Sequence, residues 1–508
     1  VGADLVLAVD LGSGGPKVGF HTVTGEPVWW WYERASAVHG AAVQDPNMWW
    51  DTIIGVAASA ITSGAVVGSR VVGIACTGQW ASTVPVDADG LPVAECLMWS
   101  DTRGAEHSAR RFGGPVLGYA ARPLTTWLRR SGGVPSPTGA DPIAHMLHLR
   151  HDRPEVPARW HLEPVDYLTM RFTGVAAATP ASMTAAWLTD NRDLGHAAYD
   201  PVLVGLAGVD ADRLPPLRPT GSIIGPVRSD VAEALGIPSA TMVLAGTPDL
   251  QNAIVGSGAI DLYAPHASLG TSAWISCPVP AKKTDVLRSL ASVPGIGDGN
   301  YVLADNQDNA GRALEWFRDA FAPDLSYADL LAAADSVPAG SGRVLFTPWL
   351  NGERSPVDDR AARGGFHNVS LETGRPELTR AVLEGVAFNL RWLLAGAEKF
   401  TGRRLDPIRV IGGGAASEVW CQILADVCDR TLERVADPLL TGLRGAAMMF
   451  GLAMGAVRAA DVPGLVPIDR TFRPNPAHRA TYDELYAEFP GLHSRNKRMF
   501  ARLNTPRL

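Results

Sequence analysis

Charged residues are sparse in this chain: Asp, Glu, Lys and Arg make up 19% of it, and no basic run is long enough to form a nucleic-acid face. The balance of 45 basic against 52 acidic residues leaves a net charge of −7, which argues against a polyanion partner. Cysteine is scarcer still. Cys76, Cys96, Cys277, Cys421 and Cys428 show no CxxC spacing, and their number is odd. A chain of 508 residues needs no staples, so reduced thiols in a cytoplasm are expected. Cys421 and Cys428, seven apart on a predicted helix, read as core packing. Long apolar runs are missing as well: the least polar late stretch, Gly445 to Val457, is too short to span a bilayer. The N-terminus shows no basic n-region or cleavage site and enters a strand directly. A Walker A loop, G-x-x-x-x-G-K-[ST], does not occur. Apolar content of 46% fits an ordinary soluble protein, and the length predicts two or more large domains.

What is present is a repeated pattern. Leu5 to Val9 is a continuous apolar run, predicting a strand buried on both faces. It ends in Asp10-Leu11-Gly12-Ser13-Gly14-Gly15-Pro16-Lys17 and returns as Val18-Gly19-Phe20. The glycines permit a tight hairpin whose N–H groups can face an anion, and an Asp at a strand end can hold magnesium through water. A plain Gly-rich turn is the commoner meaning of such residues. The second half repeats the motif at Ala267-Ser268-Leu269-Gly270-Thr271-Ser272, with a return through Ala273 to Ile275. Two further strands, Val71–Ala75 and Met242–Ala245, run into Thr77 to Ser82 and into Gly246-Thr247-Pro248-Asp249. Ile408 to Ile411 meets Gly412-Gly413-Gly414-Ala415 before a helix from Glu418. Asp45 and Pro46 open a helix reaching about Ala60, with Trp49 and Trp50 as packing residues. His145 and His148, three apart on one helix face with no third ligand near, favour packing over a metal.

The most informative stretch is Phe346 to Leu394. A strand-like run (Val344, Leu345, Phe346) leads through a polar loop into a long amphipathic helix. Leu378, Val382, Val386, Leu390 and Leu394 form its buried stripe, with Glu384 on the other face. By itself this is a surface loop and its packing helix, or a loop presenting ligand groups from a rigid platform.

Residue for residue, the stretch resembles the second signature of the FGGY carbohydrate kinases. The family's GER-P turn, ARG-aromatic turn and RAVLEGVAF helix stand here as Gly352 to Pro356, Ala362 to Phe366 and Arg380 to Phe388. Asn368 replaces a usual Gly, which its tolerance of positive φ permits. The resemblance extends along the chain. It makes Asp10 the magnesium-organising acid, and Gly12, Ser13 (for the usual Thr), Gly14 and Lys17 the first phosphate loop. It makes Gly270, Thr271 and Ser272 the second loop, Gly412, Gly413, Gly414 and Ala415 the adenosine turn, and Asp249 the catalytic base beside the acceptor. Gln79, Trp80, Ala81, Trp99, Asp101 and Arg103 fall at sugar-contacting positions. Trp80 could stack on a sugar or be core, and Asp101–Arg103 could be a surface salt bridge. The family's first-signature Lys and Trp are absent at Asp141–His148. Gln79-Trp80-Ala81-Ser82 stands where xylulokinases carry Gln-Met-His-Gly, Thr247-Pro248 replaces two glycines, and Leu250 replaces an Asn.

The resemblance implies an α/β fold of two ribonuclease-H-like, actin-like ATPase domains, 1–255 and 256–508, with a nucleotide cleft between them. The first would carry the sugar site, first phosphate loop and base; the second would carry the second loop, the adenosine turn and a C-terminal packing tail. It implies a kinase using ATP and Mg2+ on a ketopentose such as D-xylulose. Alternatives are another ketose or a polyol acceptor, and a non-catalytic sugar-binding regulator. The expected partner is a small sugar or polyol, without nucleic acid or membrane, and by analogy a second copy in a homodimer.

Overall fold

The computed structural model describes residues 3–12, 14–33, 42–297 and 300–504. The first apolar run is strand β1 (Leu5–Gly12), whose residues from Leu5 to Val9 are at most 1% exposed. It forms a hairpin with β2 (Gly15–Thr22), in which Gly12 pairs with Gly15, and β2 pairs antiparallel with β3 (Pro27–Tyr32). Helix α1 (Pro46–Thr62) follows, with the Asp45 carboxylate accepting from the Asn47 amide at 2.9 Å. β4 (Val71–Gly78) lies parallel to β1 on its other side. The seven-stranded sheet is completed by β5 (Ile223–Pro226), β6 (Met242–Leu244) and β7 (Thr247–Pro248). Its order is β5-β6-β4-β1-β2-β3, with β7 also pairing to β4.

The second half repeats this order. β8 (His266–Leu269) and β9 (Ala273–Ser276) form the hairpin, β10 (Ile408–Ile411) lies parallel to β8, and β11 (Leu432–Val435) lies parallel to β10. β12 (Ile468–Phe472) closes the edge antiparallel, giving β9-β8-β10-β11-β12. In both sheets a hairpin is followed by two parallel strands and one antiparallel edge strand, so the duplication expected from the two Gly-hydroxyl turns is present in the topology.

Alternation places the two faces of β1 in different cores. Leu5, Leu7, Val9 and Leu11 pack with Trp49, Trp50 and Ile53 of α1 and with Tyr167 and Phe172 of the helix Pro164–Thr173. Val6 and Ala8 instead meet Leu443, Ala446, Ala447 and Phe450, which belong to the helix Thr441–Ala453 from the other half of the chain. Gly73 is the seat for Phe450: a Cβ there would overlap its ring. This buried helix is the late apolar run. No helix among the described residues is long and apolar enough to cross a membrane.

The signature helix runs from Arg375 to Thr401 and differs from the expected amphipathic one. The stripe through Val382, Val386, Leu390 and Leu394 is buried, but Glu384 on the opposite side is only 1% exposed. It accepts from Gly340 N (3.0 Å), Ser341 Oγ (2.7 Å), Arg380 Nε (2.7 Å) and Tyr482 Oη (2.8 Å). Arg380 also donates to Tyr482 Oη at 3.0 Å, closing a triangle with the C-terminal helix Arg479–Asn504. Gly385 is required by close approach, because a Cβ would overlap the Phe346 carbonyl. Asn368 has φ +62°, as its place in the turn demands. All five cysteines are free and buried.

Candidate active site

A cleft of about 1270 Å³ lies between the two halves. Three strand ends converge there. Asp10 is paired in register with Lys17 across the first hairpin and with Thr77 across β4, while Thr77 is paired with Thr247. Asp10 Oδ2 accepts from Lys17 Nζ at 2.8 Å, and the ammonium lies 5.4 Å from the Tyr32 ring centre. Burial works against the Lys17 charge, but the Asp10 carboxylate outweighs it and holds the amine above its ordinary range. Asp249 begins the helix Asp249–Gly256 directly after β7. Burial first, and then the neighbouring Asp10 carboxylate, push its carboxyl up to about 7, against the Leu250 amide and Lys17, which pull it down. Such a group accepts a proton near neutral pH.

Glycines bring these groups together. Helices Asp249–Gly256 and Thr441–Ala453 cross so closely that a Cβ on Gly256 would overlap the Thr441 carbonyl, and one on Gly445 the Asn252 carbonyl. Asn252 Nδ2 donates to the Gly442 carbonyl at 2.7 Å. The second helix therefore starts against Asp10, and a Cβ on Gly442 would overlap that carboxylate.

Of the residues singled out from the sequence, Asp10, Gly12, Gly14, Lys17, Trp99, Asp249, Gly270, Thr271, Ser272, Gly412, Gly413 and Gly414 line the cleft. Ser13 lies outside the described residues. In the second turn the Gly270 amide is already used, donating to the Ser272 carbonyl at 3.0 Å. The triple-Gly turn also has a more local cause than an approaching ligand. Gly412 has φ +91°, and Cβ atoms on Gly412 and Gly414 would stand 2.8 Å from the Leu269 carbonyl oxygen and 2.7 Å from Leu269 Cγ. Only Gly413 would accept a Cβ without overlap, at 3.9 Å from Leu439 Cδ1, and Ala415 is fully buried, so Ala416 takes its place on the cleft wall.

The acceptor-side residues divide. Trp99 is on the wall, while Gln79, Trp80, Ala81, Asp101 and Arg103 do not line the cleft. Gln79 is 5% exposed, and neither polar atom of its side chain has a partner among the described residues. Trp80 packs against the cluster of Leu250, Ile254, Val293 and Val302. Asp101 is buried and accepts from Arg103 Nη2 at 2.6 Å and from the Arg103 amide at 2.9 Å, so the pair is half in the core and not a surface bridge. His145 and His148 both engage protein groups: His148 Nδ1 meets Asp152 at 2.7 Å, and His145 meets Thr83 and the Asp101 carbonyl.

Sequence reasoning missed the opposite wall. Asp308 lies 2.9 Å from Arg354 Nε and 2.6 Å from Arg360 Nη1, and Arg354 sits 5.0 Å over the Trp99 ring, joining the two halves across the cleft. Glu353 holds this wall from behind. Its buried carboxyl accepts from the amides of Asp308 (3.0 Å) and Arg354 (2.9 Å) and from Asn389 Nδ2 (2.6 Å). Burial, and then Asp308, push it up to about 8. The signature's GER turn and helix supplied the signal, but the pairing with Asp308 is not readable from spacing. Leu314, Leu331, Pro438, Leu439 and Trp420 add an apolar surface from the second half.

The chain resembles known proteins along its whole length. The chain is 26% identical over 516 residues to a xylulose kinase of Staphylococcus epidermidis, covering 99% of each. It is 26% identical over 474 residues to the L-xylulose/3-keto-L-gulonate kinase of Escherichia coli, covering 90% of this chain and 91% of that protein. The structure of ligand-bound xylulose kinase from Lactobacillus acidophilus superimposes with a TM-score of 0.85 at 22% identity, covering 98% of this chain and 99% of that one. The family model described as the FGGY family of carbohydrate kinases, N-terminal domain, matches residues 5–256, and its C-terminal counterpart matches residues 266–454. The chain belongs to the FGGY family of carbohydrate kinases.

Proposed function

We propose that this carbohydrate kinase transfers the γ-phosphoryl group of MgATP to a primary hydroxyl of a ketopentose, D-xylulose being the first acceptor to test. The observation that carries the reading is Asp249: a carboxyl pushed up to about 7 opens on the same cleft as the turns of both duplicated hairpins. Asp249 accepts the hydroxyl proton as the acceptor oxygen attacks phosphorus. The amides of Gly12, Ser13 and Gly14 and those of Thr271 and Ser272 hold the phosphates, with Lys17 as the adjacent cation. Gly413 and Ala416 border the nucleoside. Asp10 fits Mg2+, since a rigid strand end offers a hard oxygen, and this ion takes one or two carboxylates and completes its shell with water and phosphate oxygens. When bound, it neutralises charge on the transferring group. The repeated strand order supports two ribonuclease-H-like, actin-like lobes, 1–255 and 256–508, whose closure excludes water.

The relatives' names support xylulose. A second reading, another ketose or a polyol, is favoured by the Gln79–Ser82 loop, because a site that reads hydroxyls changes specificity when its polar groups change. An ADP-release screen with MgATP over D- and L-xylulose, D- and L-ribulose, glycerol, erythritol, xylitol and ribitol separates the two. Highest turnover on a ketopentose supports the first reading and on a polyol the second, while no turnover on any sugar or polyol overturns both. Gly442→Ala tests the placement of Asp10. Its methyl displaces the carboxylate, so kcat is expected to fall at least about tenfold with the melting temperature little changed; an unaltered kcat would remove Asp10 from the chemistry.

A further inference from the structure

Two side chains that never touch the cleft hold its acceptor wall in place. Gln79 leaves β4 with its amide donating to the Leu11 carbonyl at 2.9 Å, beside the strand ends that carry Asp10 and Asp249. The chain then turns through Ala81, whose φ of +61° is a left-handed conformation that a non-glycine residue rarely adopts. Glu163, 1% exposed, steadies this turn by accepting from the Ser82 amide at 3.1 Å. The Ser82 hydroxyl in turn accepts from the Trp99 amide at 3.0 Å. One residue further on, Thr83 and Leu97 exchange backbone hydrogen bonds of 2.8 and 2.9 Å. His145, fully buried, spans the same two segments: its Nδ1 lies 3.2 Å from Thr83 Oγ1, and its Nε2 lies 3.3 Å from the Asp101 carbonyl. A carbonyl can only accept, so Nε2 carries the proton and Nδ1 takes the threonine hydroxyl.

We propose that Glu163 and His145 are positioning residues for acceptor specificity, fixing segment 79–83 against segment 97–103 and so setting where Gln79 and Trp99 stand relative to Asp249. The proposal rests on the kinase reading above. Filling space would not require a carboxyl here, because burying one costs more than burying an apolar side chain of similar volume. One carboxyl oxygen is taken by the loop it holds, and the other has no partner among the described residues. Burial raises the Glu163 carboxyl above its ordinary range, against the Ser82 amide; glutamine keeps an oxygen that can accept from that amide, whereas leucine removes it.

The test compares Glu163→Gln, Glu163→Leu, His145→Leu and Ser82→Ala with the parent protein, after the acceptor screen has identified the best substrate. Measured are acceptor KM, kcat, MgATP affinity by fluorescence, and the ranking of acceptors. Glu163→Leu, His145→Leu and Ser82→Ala are expected to raise acceptor KM about tenfold or more and to reorder the ranking. MgATP affinity should stay within about twofold, and Glu163→Gln should restore the parent behaviour. Unchanged acceptor KM and ranking would overturn the proposal, as would parallel losses for acceptor and nucleotide, which mark a merely structural role. Ser82→Ala removes one hydroxyl and keeps the test decisive if a leucine variant does not fold. A parent protein that phosphorylates no sugar or polyol overturns the kinase reading itself, a result distinct from an active parent with indifferent variants.

Discussion

Asp249→Asn is expected to lower kcat by about 10²–10⁴-fold, the contribution of a positioned general base, while leaving MgATP affinity unchanged. Its carboxyl stands above its ordinary range because it is buried and faces Asp10. In the free parent protein log(kcat/KM) should therefore rise with unit slope up to about pH 7 and then level off. Lys17 pulls the Asp249 carboxyl down, so Lys17→Ala should shift that break to higher pH. The stability sign is opposite to the activity sign. A carboxyl whose folded-state pKa is raised contributes stability that is complete below its unfolded value and is lost as pH rises through about 7. Asn removes that loss, so the variant should melt no lower than the parent at pH 8. An Asn variant that keeps its turnover, or a flat pH profile between 5 and about 8, would remove Asp249 from the base role.

Glu384→Ala is expected to cost about 3–5 kcal/mol of stability, the usual result of stripping one partner from a buried ion pair. The loss has several parts. Arg380 would keep its charge in the core without its 2.7 Å partner, and Tyr482 Oη, Ser341 Oγ and Gly340 N would each lose an acceptor. Tyr482→Phe removes only the hydroxyl and should cost about 1 kcal/mol. Denaturant melts followed by far-UV circular dichroism check both. A Glu384→Ala variant within about 1 kcal/mol of the parent would show that the triangle with Arg380 and Tyr482 is dispensable.

The parts of the site legible in the sequence are those encoded by local chain geometry. Gly12 and Gly15 close a hairpin whatever surrounds them, and Asp249 follows a strand directly, so both could be placed from neighbours in sequence. Asn368 was legible through the resemblance, which puts a glycine at its place in the turn, and its φ is +62°. Contacts between distant segments were not. A four-residue apolar stripe says nothing about the opposite face of a helix, and Glu384 is buried there because Arg380 and Tyr482 meet it. Asp308 and Arg354 are 46 positions apart, and no spacing rule joins them. The close packing of Gly412 and Gly414 against Leu269 was not legible, because that neighbour comes from another strand. The close crossing at Gly256 and Gly445 was equally hidden, because the backbones that exclude a side chain there come from the partner helix.

The crossing of Thr441–Ala453 over the first sheet also dictates a timetable for synthesis. When the last strand of that sheet, Thr247–Pro248, leaves the ribosome, one face of β1 and β4 still lacks its cover, because Leu443, Ala447 and Phe450 have not been made. At ~5–20 residues per second, roughly ten to forty seconds separate the sheet from its covering helix. Throughout that interval the nascent first half presents Val6, Ala8, Ala75 and Leu244 as an open apolar surface. The amino-terminal half is thus a natural client for chaperones during translation, and a fragment ending near Gly256 would carry the same uncovered face permanently.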